Sequence, residues 1–323
     1  MDQRRTSFHR TGLDPSRRSL LRLGAAAPLT LPAAGLVTTG VAAEPAPGTT
    51  RADDVLARGI AGSTDDAVHR LERAYDTTIG LAAANLATGA RLVHRAGDRF
   101  PILSVFKTLA VAAVLRDHDL HGETLRRRVW FPPADVLEYA PVASEHVDTG
   151  MTIEQMCAAV LHLSDNTAGN LLLREVGGPQ GQTAFVRSLG DRTTRLDRWE
   201  VALNTAIPGD VRDTTSPAAI ARTFARLLTG TALHRHDRAR LRQWMLENRT
   251  GDARLRAGLP DGWRVADRTG TGAYGTANDV GVAWNPAGEP VVIAALTRRD
   301  DQDATADETV LADVAGLVAE RIG

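Results

Sequence analysis

Ser104-Val105-Phe106-Lys107 opens an apolar run, Phe106 to Leu115, whose length and composition suit a buried helix. A spacing of three puts Ser104 Oγ and Lys107 Nζ on one helical face about a turn apart, where an amine can share or accept the hydroxyl proton. Ser104 also stands near the positive end of the helix dipole, where backbone N–H groups face a developing oxyanion. By itself Ser-x-x-Lys is a frequent chance match on surface helices. The pair gains meaning only from the sequence around it.

Working outward, helical patterns continue from Ser104 to about Asn248 with few strand signals. On the N-terminal side, Asp65 to Tyr75 predicts a helix, with Val68, Leu71 and Ala74 at helical spacing. Ile79 to Leu86 and Arg91 to His94, separated by Thr88 and Gly89, predict a β-hairpin. Strands return at Trp263 to Thr269, Asp279 to Trp284 and Pro290 to Leu296, and a closing helix runs from about Glu308 to Ile322. Strands at both ends of a helical middle imply a sheet domain composed from 63–100 and 250–323, with an inserted helical domain, 101–249. The cleft between them is the natural place for an active site.

Two further clusters matter. Ser164, Asp165 and Asn166 follow the apolar stretch Met156 to Leu163, where three small polar residues ordinarily make a cap or turn. Arg268, Thr269, Gly270 and Thr271 end a predicted strand; the glycine admits a ligand close to the backbone, and the arginine supplies a fixed charge for a carboxylate. Gly270, Gly272 and Gly275 also spell G-x-G-x-x-G, but strand-like sequence from Asp279 to Val282 follows them where a dinucleotide site needs a helix. A glycine-rich hairpin is the better reading.

Ser-x-x-Lys, Ser-Asp-Asn and a Lys-Thr-Gly-like triplet in this order resemble the motif set shared by penicillin-binding proteins and class A β-lactamases. Arg195 to Asn204, running on to Arg212–Thr215, resembles the Ω-loop (195–213) that distinguishes the lactamases, and Val136 to Val142 is similar to the family as well. The resemblance extends from about Ser63 to Gly323. It implies a two-domain serine β-lactamase-like fold, α/β plus all-α, with an antiparallel sheet flanked by helices, and a β-lactam hydrolase that forms a serine acyl-enzyme. Ser104 would be the nucleophile, with the backbone N–H groups of Ser104 and Thr271 as the oxyanion hole. Glu200 would be the base that activates a water, which Asn204 helps to hold. Ser164 would relay a proton to the leaving nitrogen, Asn166 would bind the substrate's side-chain amide, and Tyr139 would wall the cleft. Arg198 and Asp213 would pin the ends of the Ω-loop by an ion pair.

Three positions depart from the pattern. Arg268 replaces the usual lysine, a variant that resembles carbenicillin-hydrolysing members but also fits a chain in which Lys107 is the sole lysine. Val201 follows the base where proline is common. Ala277 stands where many members carry a carboxylate-binding arginine, and Arg254 resembles the replacement that others use. The rival readings are a D-alanyl-D-alanine carboxypeptidase or penicillin-binding protein, which lacks counterparts of Glu200 and Asn204, and a β-lactam sensor that stays acylated.

Composition narrows the partners. A formal net charge of -1 over 323 residues offers no attraction to nucleic acid or anionic lipid, so a small-molecule partner is expected; the resemblance implies that it is a β-lactam, and a monomer is the expected state. The nine histidines fall in no zinc pattern, and neither metal nor cofactor is expected; His118 and His121 flank a helix end, and His234 and His236 read as part of an Arg-rich loop. The lone Cys157 lies in an apolar stretch and reads as a buried thiol. Ser16-Arg17-Arg18-Ser19-Leu20-Leu21-Arg22, a weakly apolar stretch and Val41-Ala42-Ala43 resemble a twin-arginine signal peptide, 1–43, followed by a tether, 44–62. Export without a membrane anchor is the expectation.

Overall fold

The computed structural model describes residues 66–119 and 121–323; the signal-peptide and tether readings lie outside them. The chain begins with helix α1 (Asp66–Tyr75) and the hairpin β1 (Thr78–Asn85) and β2 (Arg91–His94). A short strand β3 (Phe100–Pro101) and a 3-10 turn, Leu103–Val105, lead into α2 (Phe106–Ala113), which ends in a π-helical turn, Val114–His118. Then come α3 (Glu123–Arg126), β4 (Arg128–Val129), β5 (Met151–Thr152), α4 (Ile153–Leu163), α5 (Asn166–Glu175) and α6 (Gly178–Ser188). After the 195–213 loop follow β6 (Thr214–Thr215), α7 (Pro217–Leu228), α8 (Arg235–Leu246) and α9 (Leu255–Gly258). Three long strands, β7 (Arg264–Thr271), β8 (Ala277–Trp284) and β9 (Pro290–Arg298), and α10 (Thr309–Ile322) complete it.

The five long strands make one antiparallel sheet in the order β2-β1-β9-β8-β7, so the two ends of the described chain meet where β1 pairs with β9. The central strands are buried almost throughout because both faces are covered; β1 and β9 are largely apolar, whereas β8 buries Asn278 and Asp279 before its apolar stretch Val280–Trp284. Alternate residues still serve different cores. Ala82, Ala84, Val280, Val282, Val292 and Leu296 join the core shared with the helical layer, whereas Leu81, Ala83, Ala283, Ile293 and Ala295 pack with Val68 of α1 and Val310, Val314 and Val318 of α10.

All eight residues of α2 are buried, as expected for a helix apolar on every side. α4, α5 and α6 surround it, and α7 lies on the inner face of the sheet, started by Ser216 Oγ, which accepts from Ala219 N at 3.3 Å. One expectation needs correction: His236 lies inside α8 and His234 caps it, so this segment is helix where an Arg-rich loop was expected. Only Leu241, Trp244 and Met245 of α8 are buried, and three buried residues leave a faint periodic signal in an otherwise polar segment.

Candidate active site

Ser104 sits in the 3-10 turn that feeds α2 and is nearly buried. Lys107, one turn on, has no exposed surface. Its Nζ donates to Ser104 Oγ at 3.0 Å and reaches Asn166 Oδ1 at 2.6 Å, the Ser164 carbonyl at 2.8 Å and Ser164 Oγ at 3.2 Å. Glu200 Oε1 lies 3.1 Å from the same nitrogen and accepts from Ser104 Oγ at 3.3 Å. Burial pushes the Lys107 ammonium down to about 8; Glu200 opposes the fall and Arg268 adds to it. A lysine so placed gives up its proton more readily than an exposed one.

The Ser164-Asp165-Asn166 cluster both caps two helices and reaches Lys107. Ser164 adopts a left-handed conformation (φ 62°) that ends α4 and turns its carbonyl to Lys107. Asp165 begins α5: Oδ1 accepts from Ala168 N at 2.8 Å, while Oδ2 accepts from Val142 N and Ala143 N at 2.9 and 2.8 Å. That carboxylate fixes the loop carrying Tyr139, whose carbonyl accepts from Asn166 N at 2.9 Å and whose ring is half exposed.

Glu200 comes from the loop that precedes β6. Arg198 Nε donates to Asp213 Oδ2 at 2.5 Å, and Asp213 Oδ1 accepts from Asp197 N and Arg198 N at 2.6 and 2.9 Å, so the two ends of the loop are pinned together. Asn204 Nδ2 donates to Glu200 Oε2 at 2.6 Å, and Asn204 Oδ1 is buried with no protein partner. The Glu200–Val201 peptide is cis. Asn170, which sequence reasoning missed, holds the Glu200 backbone from both sides: its Oδ1 accepts from Glu200 N at 3.0 Å and its Nδ2 donates to Glu200 O at 2.9 Å. Its signal was its place on α5 four residues after Asn166, on the same helical face.

The far wall is β7. Arg268 is fully buried; Nε donates to the Ser104 carbonyl at 3.2 Å, Nη1 to Thr250 Oγ1 at 3.2 Å and Nη2 to Ser164 Oγ. Burial lowers its guanidinium to about 10, which leaves it charged at neutral pH. Thr269 Oγ1 and Thr250 Oγ1 are hydrogen-bonded at 2.5 Å. A Cβ on Gly270 would stand 2.7 Å from Leu103 Cβ and 3.1 Å from Ser104 N, so glycine is what lets the strand lie against the turn that carries Ser104. Thr271, exposed, ends the strand, and the following glycines form the β7–β8 hairpin. Arg254 reaches Thr271 Oγ1 at 2.6 Å, but it is buried and already engaged by Glu308 (2.7 Å) and by the carbonyls of Gly270 (2.9 Å) and Asn278 (2.8 Å).

Ser104, Lys107, Ser164, Asn166, Glu200, Asn204 and Arg268 thus form one connected network, with Gly270 packed on it, Thr269 joined through Thr250, and Tyr139, Thr271 and Arg254 at its margins. Such a constellation, a serine between a depressed lysine and a glutamate, suits acyl transfer followed by hydrolysis. Cys157 takes no part: burial pushes its thiol up, and it lies in the apolar core.

The chain is similar to known proteins over most of its length. A family profile described as "Beta-lactamase enzyme family" matches residues 63–322. The chain is 49% identical over 316 residues to a "Beta-lactamase" of Streptomyces fradiae, spanning 96% of this chain and 98% of that protein. It is similar to the solved β-lactamase of Streptomyces albus G, with a TM-score of 0.79 and 49% identity over 80% of this chain and 99% of that one. An ancestral class A β-lactamase matches with a TM-score of 0.76 and 48% identity, over 79% and 98%.

Proposed function

We propose, for a chain that belongs to the β-lactamase enzyme family and is a β-lactam hydrolase of the class A serine type, a specific division of labour among its residues. Ser104 Oγ attacks the lactam carbonyl carbon, and its proton passes to Lys107 or Glu200, both within 3.3 Å. The backbone N–H groups of Ser104 and Thr271, brought near each other by the close packing of Gly270, receive the oxyanion. As the C–N bond breaks, Ser164 Oγ, 3.2 Å from Lys107 Nζ, carries a proton to the departing nitrogen. Asn166 and Tyr139 line the side-chain end of the substrate. Arg268 and Arg254 supply positive charge at the β7 edge, where the substrate carboxylate belongs.

Deacylation falls to Glu200, which removes a proton from water as that water attacks the ester and returns Ser104 to its starting state. The observation that carries this reading is that Ser104 Oγ, Lys107 Nζ and Glu200 Oε1 form a closed triangle with sides of 3.0 to 3.3 Å while Asn204 holds Glu200 Oε2 and offers a buried acceptor beside it. The carboxypeptidase and sensor alternatives are not favoured, because the curated relatives are named β-lactamases. Glu200→Gln should leave acylation possible and slow deacylation by about 10² to 10⁴. Mass spectrometry after brief exposure to benzylpenicillin should find the adduct persisting; undiminished turnover would remove Glu200 from this role.

The same reading has the enzyme work as an exported monomer that takes a small β-lactam and needs neither nucleic acid nor a membrane anchor. No helix among the described residues is long and apolar enough to cross a membrane. Support for export is the Arg17-Arg18 pair with its apolar stretch and Val41-Ala42-Ala43. Replacing both arginines by lysine should abolish export, since the pathway reads paired guanidinium groups; undiminished enzyme outside the cell would refute the signal.

A further inference from the structure

On the outer face of the sheet, α1 and β2 bring three donor groups together. His69 and Glu72 stand one turn apart on α1, and His94 ends β2. His69 Nδ1 lies 3.2 Å from Glu72 Oε2, and His94 Nε2 lies 3.1 Å from Glu72 Oε1. All three ligand atoms lie within 4.8 Å of one another, the only such group of His, Cys, Asp and Glu among the described residues. None of them belongs to the Ser104 network.

His94 supplies the second, independent sign. It is 3% exposed; Nδ1 has no hydrogen-bond partner, and Nε2 faces Glu72 Oε1 at 3.1 Å while its ring meets that of His69 edge-on, centroids 4.6 Å apart. A buried imidazole packed against a carboxylate and a second imidazole, with one nitrogen left without a partner, suits a third body between the groups. The geometry points to a binding site for one divalent transition-metal ion of the zinc type, held by His69, Glu72 and His94.

The spacing is near what that ion needs. Metal–ligand bonds of about 2.0 to 2.2 Å at tetrahedral angles set neighbouring donor atoms roughly 3.3 to 3.6 Å apart; each imidazole here lies 3.1 to 3.2 Å from its own oxygen of Glu72, so the carboxylate turns one oxygen to the ion on binding. His69, with 42% of its side chain exposed, can rotate to close the remaining edge. Two imidazoles and one carboxylate favour zinc, nickel or copper over magnesium or calcium, which take oxygen donors. A surface cavity of about 680 Å³, lined by His69, Glu72, Arg73, Arg95, Arg298 and Asp301 among others but not by His94, gives solvent access to two of the three ligands.

One group competes. Arg95 donates from Nε to Glu72 Oε1 at 2.8 Å and from Nη2 to Oε2 at 3.2 Å. Its side chain is 40% exposed, so it can release the carboxylate to an incoming cation and return to water. The site therefore predicts a sign that adventitious surface histidines do not: removing Arg95 tightens metal binding. The bound ion would tie α1 to β2 and resist local opening at the start of the described chain.

The test uses the full chain without a polyhistidine tag, stripped with a chelator and titrated with zinc by calorimetry. One equivalent should bind at micromolar zinc, and the melting temperature should rise by about 5 °C at a hundredfold excess over Kd. His69→Ala and His94→Leu should each weaken binding by about tenfold or more, and Arg95→Ala should tighten it by about threefold or more. Cobalt in place of zinc should give the visible absorption of a four-coordinate site in the parent and lose it in His69→Ala, a surface change that spares the fold. Three results would overturn the proposal: no binding by the parent, parental affinity in the His69→Ala, His94→Leu double variant, or unchanged or weaker binding in Arg95→Ala.

Discussion

The two faces of the sheet treat buried ionisable groups in opposite ways. On the cleft side, Lys107 has no exposed surface and five oxygen atoms within 3.2 Å, contributed by α2's own turn, the α4–α5 junction and the 195–213 loop. Arg268 beside it is equally buried and donates to oxygens from three segments. On the outer side, His94 is almost as deeply buried and has no hydrogen bond at Nδ1. Burial shifts all three toward the neutral form. What separates them is connection. A satisfied network holds its atoms in one arrangement, whereas an unsatisfied group keeps a cost that a new partner can relieve.

The largest break in that contrast should come from Lys107→Arg. A guanidinium stays protonated and cannot accept the Ser104 proton, and the site is tight: a Cβ on neighbouring Gly169 would already stand 3.0 Å from Lys107 Cε. Acylation by benzylpenicillin should fall by about 10³-fold or more although the charge is kept. Arg268→Lys in the same assay should cost about tenfold or less, because Arg268 contributes charge and not proton transfer. Equal small losses in both would mean that Lys107 acts only as a cation.

A second break is by pH. Burial holds Lys107 at about 8 while Glu200 pulls it upward, so removing the Glu200 charge lets it fall further. In Glu200→Gln, acylation should rise with pH through a value below 8 and then level off, changing about tenfold or more between pH 6 and the plateau. Stopped-flow acylation rates from pH 5.5 to 9 make the comparison. A flat profile would show that the lysine does not titrate in the step.

Third, Asn170→Ala should test how far the network depends on backbone support. It frees both the N–H and the carbonyl of Glu200 while leaving every side chain that touches the substrate in place. Deacylation should slow by about tenfold, with acylation less affected, because a base displaced by a fraction of an ångström loses its water before Ser104 loses its lysine. Asn170→Asp keeps the acceptor for Glu200 N and should recover part of the rate. If both variants deacylate normally, the 195–213 loop holds Glu200 without help from α5.

Much of this was legible in the sequence because the responsible signals are local. The 3.6-residue period gave α1 and α10 to within a residue or so, and the glycine-rich β7–β8 hairpin followed from strand-like sequence after Gly275. The site's composition was legible through spacing and order, since Ser104 and Lys107 share a helical turn and Ser164 to Asn166 form one junction. Contacts made only by folding were not. Asn170 meets Glu200 across 30 residues, Thr250 meets Arg268 across 18, and Arg254 is engaged by Glu308 across 54. The outer-face cluster escaped for the same reason: His69 and Glu72 lie on a helix, His94 on a strand, and no ligand spacing in the sequence links them. α8 was missed because a helix with three buried residues resembles a polar loop.

The smallest effect expected is also the one that sets the two faces most directly against each other. In chelator, where no metal can help, His94→Leu replaces an unsatisfied buried imidazole by an apolar side chain facing the same core as Leu92. Removing an unpaired buried polar group is worth about 1 kcal/mol, or roughly 2 °C in melting temperature for a chain of this size, in the stabilising direction. Glu72 loses a weak neighbour but keeps Arg95 and the Ile79 N–H, so its carboxylate stays partnered. The same exchange on the cleft side, Lys107→Leu, should destabilise or at best be neutral, since it strands Asn166, Ser164 and Glu200 without their shared donor. Thermal melts of both variants with excess chelator decide the matter. Should His94→Leu melt several degrees lower than the parent, the imidazole would have to be contributing to stability through Glu72, and the outer face would be a satisfied network like the cleft.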